Sequence, residues 1–119
     1  MFCFIYLIVL KEDFREIPKS RQVNGGSSIT MECRAPRGTP QPVLWWEKNG
    51  QPIATSDTST DPLERFYSNG TLIFKDTSVH DNGEYVCVAQ NAAGQRRSPP
   101  AFLRVFEKPS FVIEPEANK

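Results

Sequence analysis

Two cysteines and one tryptophan constrain this chain more than any other feature. Cys33 and Cys87 each stand inside a run that alternates apolar and polar residues, and Trp46 follows Cys33 by 13 positions and precedes Cys87 by 41. Alternation is the period of a half-buried strand. Ile29, Met31 and Cys33 therefore share one face, as do Leu44 and Trp46, and as do Tyr85, Cys87 and Ala89. A Cys33–Cys87 disulfide would join two sheets, with Trp46 filling the space beside it. Such a bond closes a loop of about 55 residues and contributes roughly 4 kcal/mol in the chain-entropy model. It also places the chain in an oxidising compartment. Tyr85, two positions before Cys87, can bring its hydroxyl to backbone upstream.

The rest of the sequence supports many short strands. Ten prolines and seven glycines punctuate 119 residues, leaving no helical period of useful length. Pro18 interrupts the first edge strand over Asp13–Val23, and an Asn24-Gly25-Gly26 turn follows it. Val43–Lys48 ends at Asn49-Gly50. Arg65–Tyr67 and Leu72–Phe74 form a hairpin about Ser68-Asn69-Gly70, Asn-Gly being a favoured pair in a tight turn. Glu84–Ala89 and Ala101–Val105 complete the pattern. The stretch from Gln51 to Pro62 reads as a loop with a brief edge strand near Ile53. The fold class is all-β, a two-sheet antiparallel Greek-key sandwich.

Residues 1–12 form an apolar leader or linker, 13–107 the domain, and 108–119 a linker onward. Met1–Leu10 is almost wholly apolar. As a helix it would reach about 15 Å, half a bilayer core, so it does not span a membrane. Three readings of it stay open: a misplaced start, a degenerate signal peptide lacking a basic flank and a cleavage motif, and a strand of a missing domain. It is set aside from the fold, and Cys3 with it.

Several function classes drop out. Fourteen basic and fourteen acidic side chains cancel, giving no whole-molecule attraction to nucleic acid. His80 is the one histidine and there is no C-x-x-C pair, so neither a metal site nor a cofactor is expected. A nucleophile–base pair is missing as well, and the chain is not expected to be an enzyme.

At this point the motifs resemble a known family. Cys33, Gly38-x-Pro40-x-Pro42, Trp46, Leu72-x-Phe74, Asp81-x-Gly83-x-Tyr85-x-Cys87, Asn91-x-x-Gly94 and Leu103-x-Val105 are similar to the I-set immunoglobulin domains of cell-surface receptors, over Asp13–Phe106. Val9–Arg15, Met31–Gly38 and Glu107–Val112 resemble the second immunoglobulin domain of roundabout-type axon-guidance receptors. That resemblance implies an extracellular recognition and adhesion domain of a membrane-anchored receptor, with a Slit-like protein ligand and heparan sulfate as partners. The alternative is a structural spacer in a matrix or muscle-type tandem array. Three departures from the pattern stand out: Thr77 replaces an apolar residue, Pro99-Pro100 falls in the last strand, and the Arg65–Leu72 hairpin is a residue short.

Candidate sites follow from parity. With Trp46 and Cys87 inward, Val43, Trp45, Val86, Val88 and Phe102 lie on the outer face of one sheet, an apolar patch of the kind that marks a protein interface. Arg34, Arg37, Arg96 and Arg97 lie outside the core pattern and are the heparan sulfate candidates. Arg65 is the expected counter-charge of Asp81, in a solvent-exposed pair worth under about 1 kcal/mol. Asn69-Gly70-Thr71 is an N-glycosylation acceptor.

Overall fold

The structure, a computed structural model, describes residues 7–53 and 70–107 and the backbone of 66–68. Its strands are β1 (Val9–Leu10), β2 (Arg21–Asn24), β3 (Ile29–Glu32), β4 (Gly38–Thr39), β5 (Val43–Lys48), β6 (Gln51–Pro52), β7 (Phe66–Ser68), β8 (Thr71–Phe74), β9 (Gly83–Asn91), β10 (Gly94–Arg97) and β11 (Ala101–Phe106). A short 3-10 turn, Val79–Asp81, leads into β9. One sheet runs β2-β11-β9-β5-β6, with β10 also on β9; a second runs β3-β8-β7, and β1 and β4 form a separate pair. The pairs are antiparallel except β2 with β11, which is parallel. This is the sandwich that the alternation predicts.

The core forms where inward residues of the two sheets meet. Ile29, Met31, Leu72 and Phe74 come from one side, and Trp46, Tyr85, Cys87, Ala101, Leu103 and Val105 from the other. The Cys33–Cys87 disulfide bridges them with 6.5 Å between Cα atoms. Tyr85 is fully buried, packs edge-on against Phe74 at 5.5 Å, and donates its hydroxyl to the Asp81 carbonyl at 2.6 Å. That bond lets the phenol lie inside the core with its polar end satisfied.

The first strand region divides at Pro18. Glu16 bridges to Arg34 beside β3, and β2 crosses to pair with β11 in the other sheet. Gly70 is fixed by close approach: the Cys33 amide donates to its carbonyl at 3.2 Å, its φ is +87°, and a Cβ there would overlap the Cys33 carbonyl. Thr77 is buried and donates to the Ser27 carbonyl at 2.9 Å, tying the β2–β3 turn to the segment before the 3-10 turn. A hydroxyl serves where an apolar residue is usual because a carbonyl is there to receive it.

Two features differ from the sequence reading. Val9–Leu10, set aside with the leader, pairs with Gly38–Thr39, and Leu10 is buried. The Leu10 side chain therefore packs against this domain, while Leu7 and Ile8 before it stay exposed. Pro99-Pro100 does more than loosen a strand. Arg97 stands opposite Val88, yet Ala101 stands opposite Tyr85, so the last strand carries one residue more than its partner between those points. This is a β-bulge, and side-chain parity reverses across it. Ser98 holds the break by donating its amide to the Cys87 carbonyl and accepting the Cys87 amide on its Oγ, both at 2.9 Å.

Candidate recognition face

The register places the outer-face residues. Across β5 and β9, Val43 faces Gln90, Trp45 faces Val88 and Glu47 faces Val86. Arg97 lies on the other flank of Val88, and Phe102 faces Glu84. Directly opposed residues share a face, so Val43, Trp45, Val86, Val88 and Phe102 are on one side of the sheet as expected. Val43 is 63% exposed and Phe102 54%, while Trp45 and Val86 are half-buried.

Val88 is the correction, because it is fully buried. Its two cross-strand neighbours are Trp45 and Arg97, and the Arg97 side chain spans β9 to reach the Glu47 carboxylate on β5. Arg97 Nη2 donates to Glu47 Oε1, and the Trp45 side chain makes a smaller contribution to stabilising the same carboxylate. The Glu47 side chain is 12% exposed and that of Arg97 47%. The Arg97 hydrogen bond, aided by its charge and by Trp45, holds the Glu47 carboxyl below its ordinary value against the opposing effect of burial. The apolar face is therefore divided. Val43 and the edge of Trp45 lie at one end, and Phe102 lies at the other beside a cleft of about 510 Å³ lined by Asn49, Glu84 and Arg104. The Arg104 guanidinium stacks on Phe106, 5.4 Å from the ring centre.

The four candidate arginines do not form one patch. Arg96 and Arg97 are consecutive on β10, and consecutive strand residues point to opposite faces. Arg97 belongs to the outer face and is paired with Glu47. Arg96 is half-buried, with Nη2 donating to the Leu10 carbonyl at 3.0 Å and Nη1 to the Gln95 carbonyl at 3.1 Å. Arg34 keeps a 66% exposed side chain, 3.9 Å from Glu16, and Arg37 is exposed. Arg34 and Arg15 flank a cleft of about 480 Å³ over Pro42 and Leu44, an arrangement the sequence reading missed because Arg15 is distant in the chain.

Arg65 and Asn69 lie outside the described residues. Asp81 is buried rather than solvent-exposed, and its carboxylate accepts the Ser78 amide at 2.9 Å as part of a cap on the 3-10 turn. His80 is exposed, and its carbonyl receives the Lys48 ammonium. Among the described residues no group of three His, Cys, Asp or Glu side chains could hold a metal ion. Among the same residues no helix is long and apolar enough to cross a membrane.

The geometry has counterparts among known proteins. Protein sax-3 of Caenorhabditis elegans is 43% identical over 110 residues, covering 92% of this chain and 8% of that protein. Roundabout homolog 1 of Homo sapiens is 41% identical over 108 residues, covering 90% and 6%. The chain thus spans less than a tenth of the length of these relatives. The solved tandem Ig repeats of Dlar superpose with a TM-score of 0.71 at 27% identity, covering 81% of this chain and 48% of that one. The immunoglobulin domain model matches residues 14–91, from just before the first bridge to the end of β9. With the disulfide, the buried tryptophan and the tyrosine hydroxyl bond all inside that span, the chain belongs to the immunoglobulin domain family.

Proposed function

We propose that this domain is a recognition and adhesion module in the extracellular part of a guidance receptor similar to roundabout, and that it takes a Slit-like protein ligand on the outer face of the larger sheet. The observation that carries this reading is the pair of exposed apolar side chains, Val43 and Phe102, at the two ends of a face whose centre is closed by Glu47 and Arg97. Large apolar side chains at such exposure, rimmed by charge, are what a protein interface uses. The similarity to sax-3 and roundabout homolog 1 supports the receptor class. Heparan sulfate is the second ligand. Arg34 and Arg37 are its contacts, since Arg96 and Arg97 are occupied within the domain.

Binding of a Slit-type fragment to the 119-residue chain tests the reading. Neither Val43 nor Phe102 belongs to the core, so Val43→Ser and Phe102→Ser should leave the fold intact and weaken binding by roughly tenfold each. Unchanged affinity in the double variant would remove the face. No binding by the wild type would remove the ligand and favour the spacer alternative. On a heparin column, Arg34→Ala with Arg37→Ala should elute at lower salt, and unchanged elution would remove the polysaccharide contact.

A further inference from the structure

The tip of the β9–β10 hairpin carries out a task that none of the preceding roles requires. Asn91 stands at the end of β9 and Arg96 inside β10, and both side chains reach across to the segment that enters the domain. Asn91 Nδ2 donates to the Val9 carbonyl at 2.8 Å and to the Pro40 carbonyl at 2.9 Å. Arg96 Nη2 donates to the Leu10 carbonyl at 3.0 Å. Two consecutive carbonyls of the incoming strand are thus each held by a side chain from the far end of the sequence.

Backbone pairing with β4 holds the same strand. Val9 pairs with Thr39 and Leu10 with Gly38, and the Lys11 amide donates to the Arg37 carbonyl at 2.9 Å. Leu10 turns its side chain inward and is buried. Gly38 is needed at the junction, because a Cβ there would lie 2.8 Å from the Val9 carbonyl oxygen and 2.9 Å from Asn91 Nδ2. The incoming strand is only two residues long, too short to be held by its own pairing. Side-chain donors and one buried leucine supply the remainder.

We propose that Asn91 and Arg96 are a clamp that fixes the direction in which the polypeptide enters this domain. Leu7 and Ile8, both exposed immediately before the clamp, are then held in a constant position relative to the hairpin tip and the Gly38–Pro40 loop. The segment from residue 7 onward then belongs to the rigid body of the domain. This holds whether or not the outer face binds a ligand, so the two ideas fail separately.

Hydrogen exchange on the full chain tests the clamp through the Lys11 amide, which is protected only while the segment is docked. In the wild type that amide should exchange far more slowly than in an unstructured peptide. Asn91→Asp is the informative variant. It keeps the Oδ1 acceptor that receives the Ala93 amide at 2.8 Å, but it replaces both Nδ2 donations with a carboxylate facing two carbonyls. Lys11 exchange should rise by roughly tenfold or more, and again with Arg96→Ala, while the Tyr85 and Cys87 amides hold their rates. An unprotected Lys11 amide in the wild type would overturn the clamp. So would an unchanged Lys11 rate in the Asn91→Asp, Arg96→Ala double variant. If the variants fail to fold, the wild-type rate still decides.

Discussion

Glu47 shows how much one side chain can alter a surface. Alternation assigns it to the solvent face, and it is on that face, yet its carboxylate is mostly buried beneath Arg97 and beside Trp45. Because the Arg97 hydrogen bond lowers its pKa in the folded state, the pair contributes stability above the unfolded carboxylate value. That contribution is lost as pH falls through the lower folded value. Thermal unfolding across pH 6 to 3 should therefore show a steeper acid loss in the wild type than in Glu47→Gln. At neutral pH Glu47→Gln should cost about 1 kcal/mol, since Arg97 is half-exposed and screened. Equal slopes would mean that the pair carries no linkage. Val88 follows from the same cluster. Its outward parity was legible in the sequence, but its burial was not, because burial depends on neighbours from other strands, among them the Arg97 that reaches across β9 to Glu47.

At the scale of elements, the last strand is the instructive one. Pro99-Pro100 was visible in the sequence as a disturbance. The role of Ser98 was not visible, since it depends on Cys87 facing it across the sheet. With its Oγ removed, the Cys87 amide is left buried without a partner, and leaving such a group unsatisfied costs about 1–3 kcal/mol. Ser98→Ala should lower the denaturation midpoint accordingly, and Ser98→Thr should largely restore it. A midpoint unmoved by Ser98→Ala would show that the amide finds another acceptor. The strands with firm alternation, β3, β5 and β9, were read correctly from Met31, Trp46 and Cys87. β1 was missed because an apolar run at the start of a chain has the composition of a targeting segment, and only pairing with Gly38–Thr39 gives it away. The split between Arg96 and Arg97 needed no structure at all: consecutive residues of a strand cannot serve one patch.

For the whole molecule, the sandwich is closed by a single covalent tie. Cys33–Cys87 links the sheets across a sequence separation of 54 residues. Replacing both cysteines with alanine should cost about 4 kcal/mol, read as a fall in the urea midpoint relative to the oxidised wild type. A reduced wild type as stable as the oxidised one would show that packing around Trp46 holds the sheets unaided. The overall frame was legible because disulfide, tryptophan and tyrosine each meet a separate physical need at a fixed spacing. The recognition face was less so, since its polar centre is assembled from β5, β9 and β10 and no single stretch of sequence contains it.

The extra residue between Arg97 and Ala101 shifts the numbering of the last strand without shifting its faces. Before the bulge, odd-numbered residues such as Gln95 and Arg97 face outward; after it, the even-numbered Phe102 and Arg104 do. Deleting Pro99 or Pro100 would leave two residues opposite Val86 and Cys87, so plain alternation would run from Arg97 outward to Ala101 inward. Phe102 and Arg104 would keep their outward places, and what would vanish is the bend that a bulge puts into its strand. The surplus residue thus steers the path of the chain and leaves the face it shows unchanged.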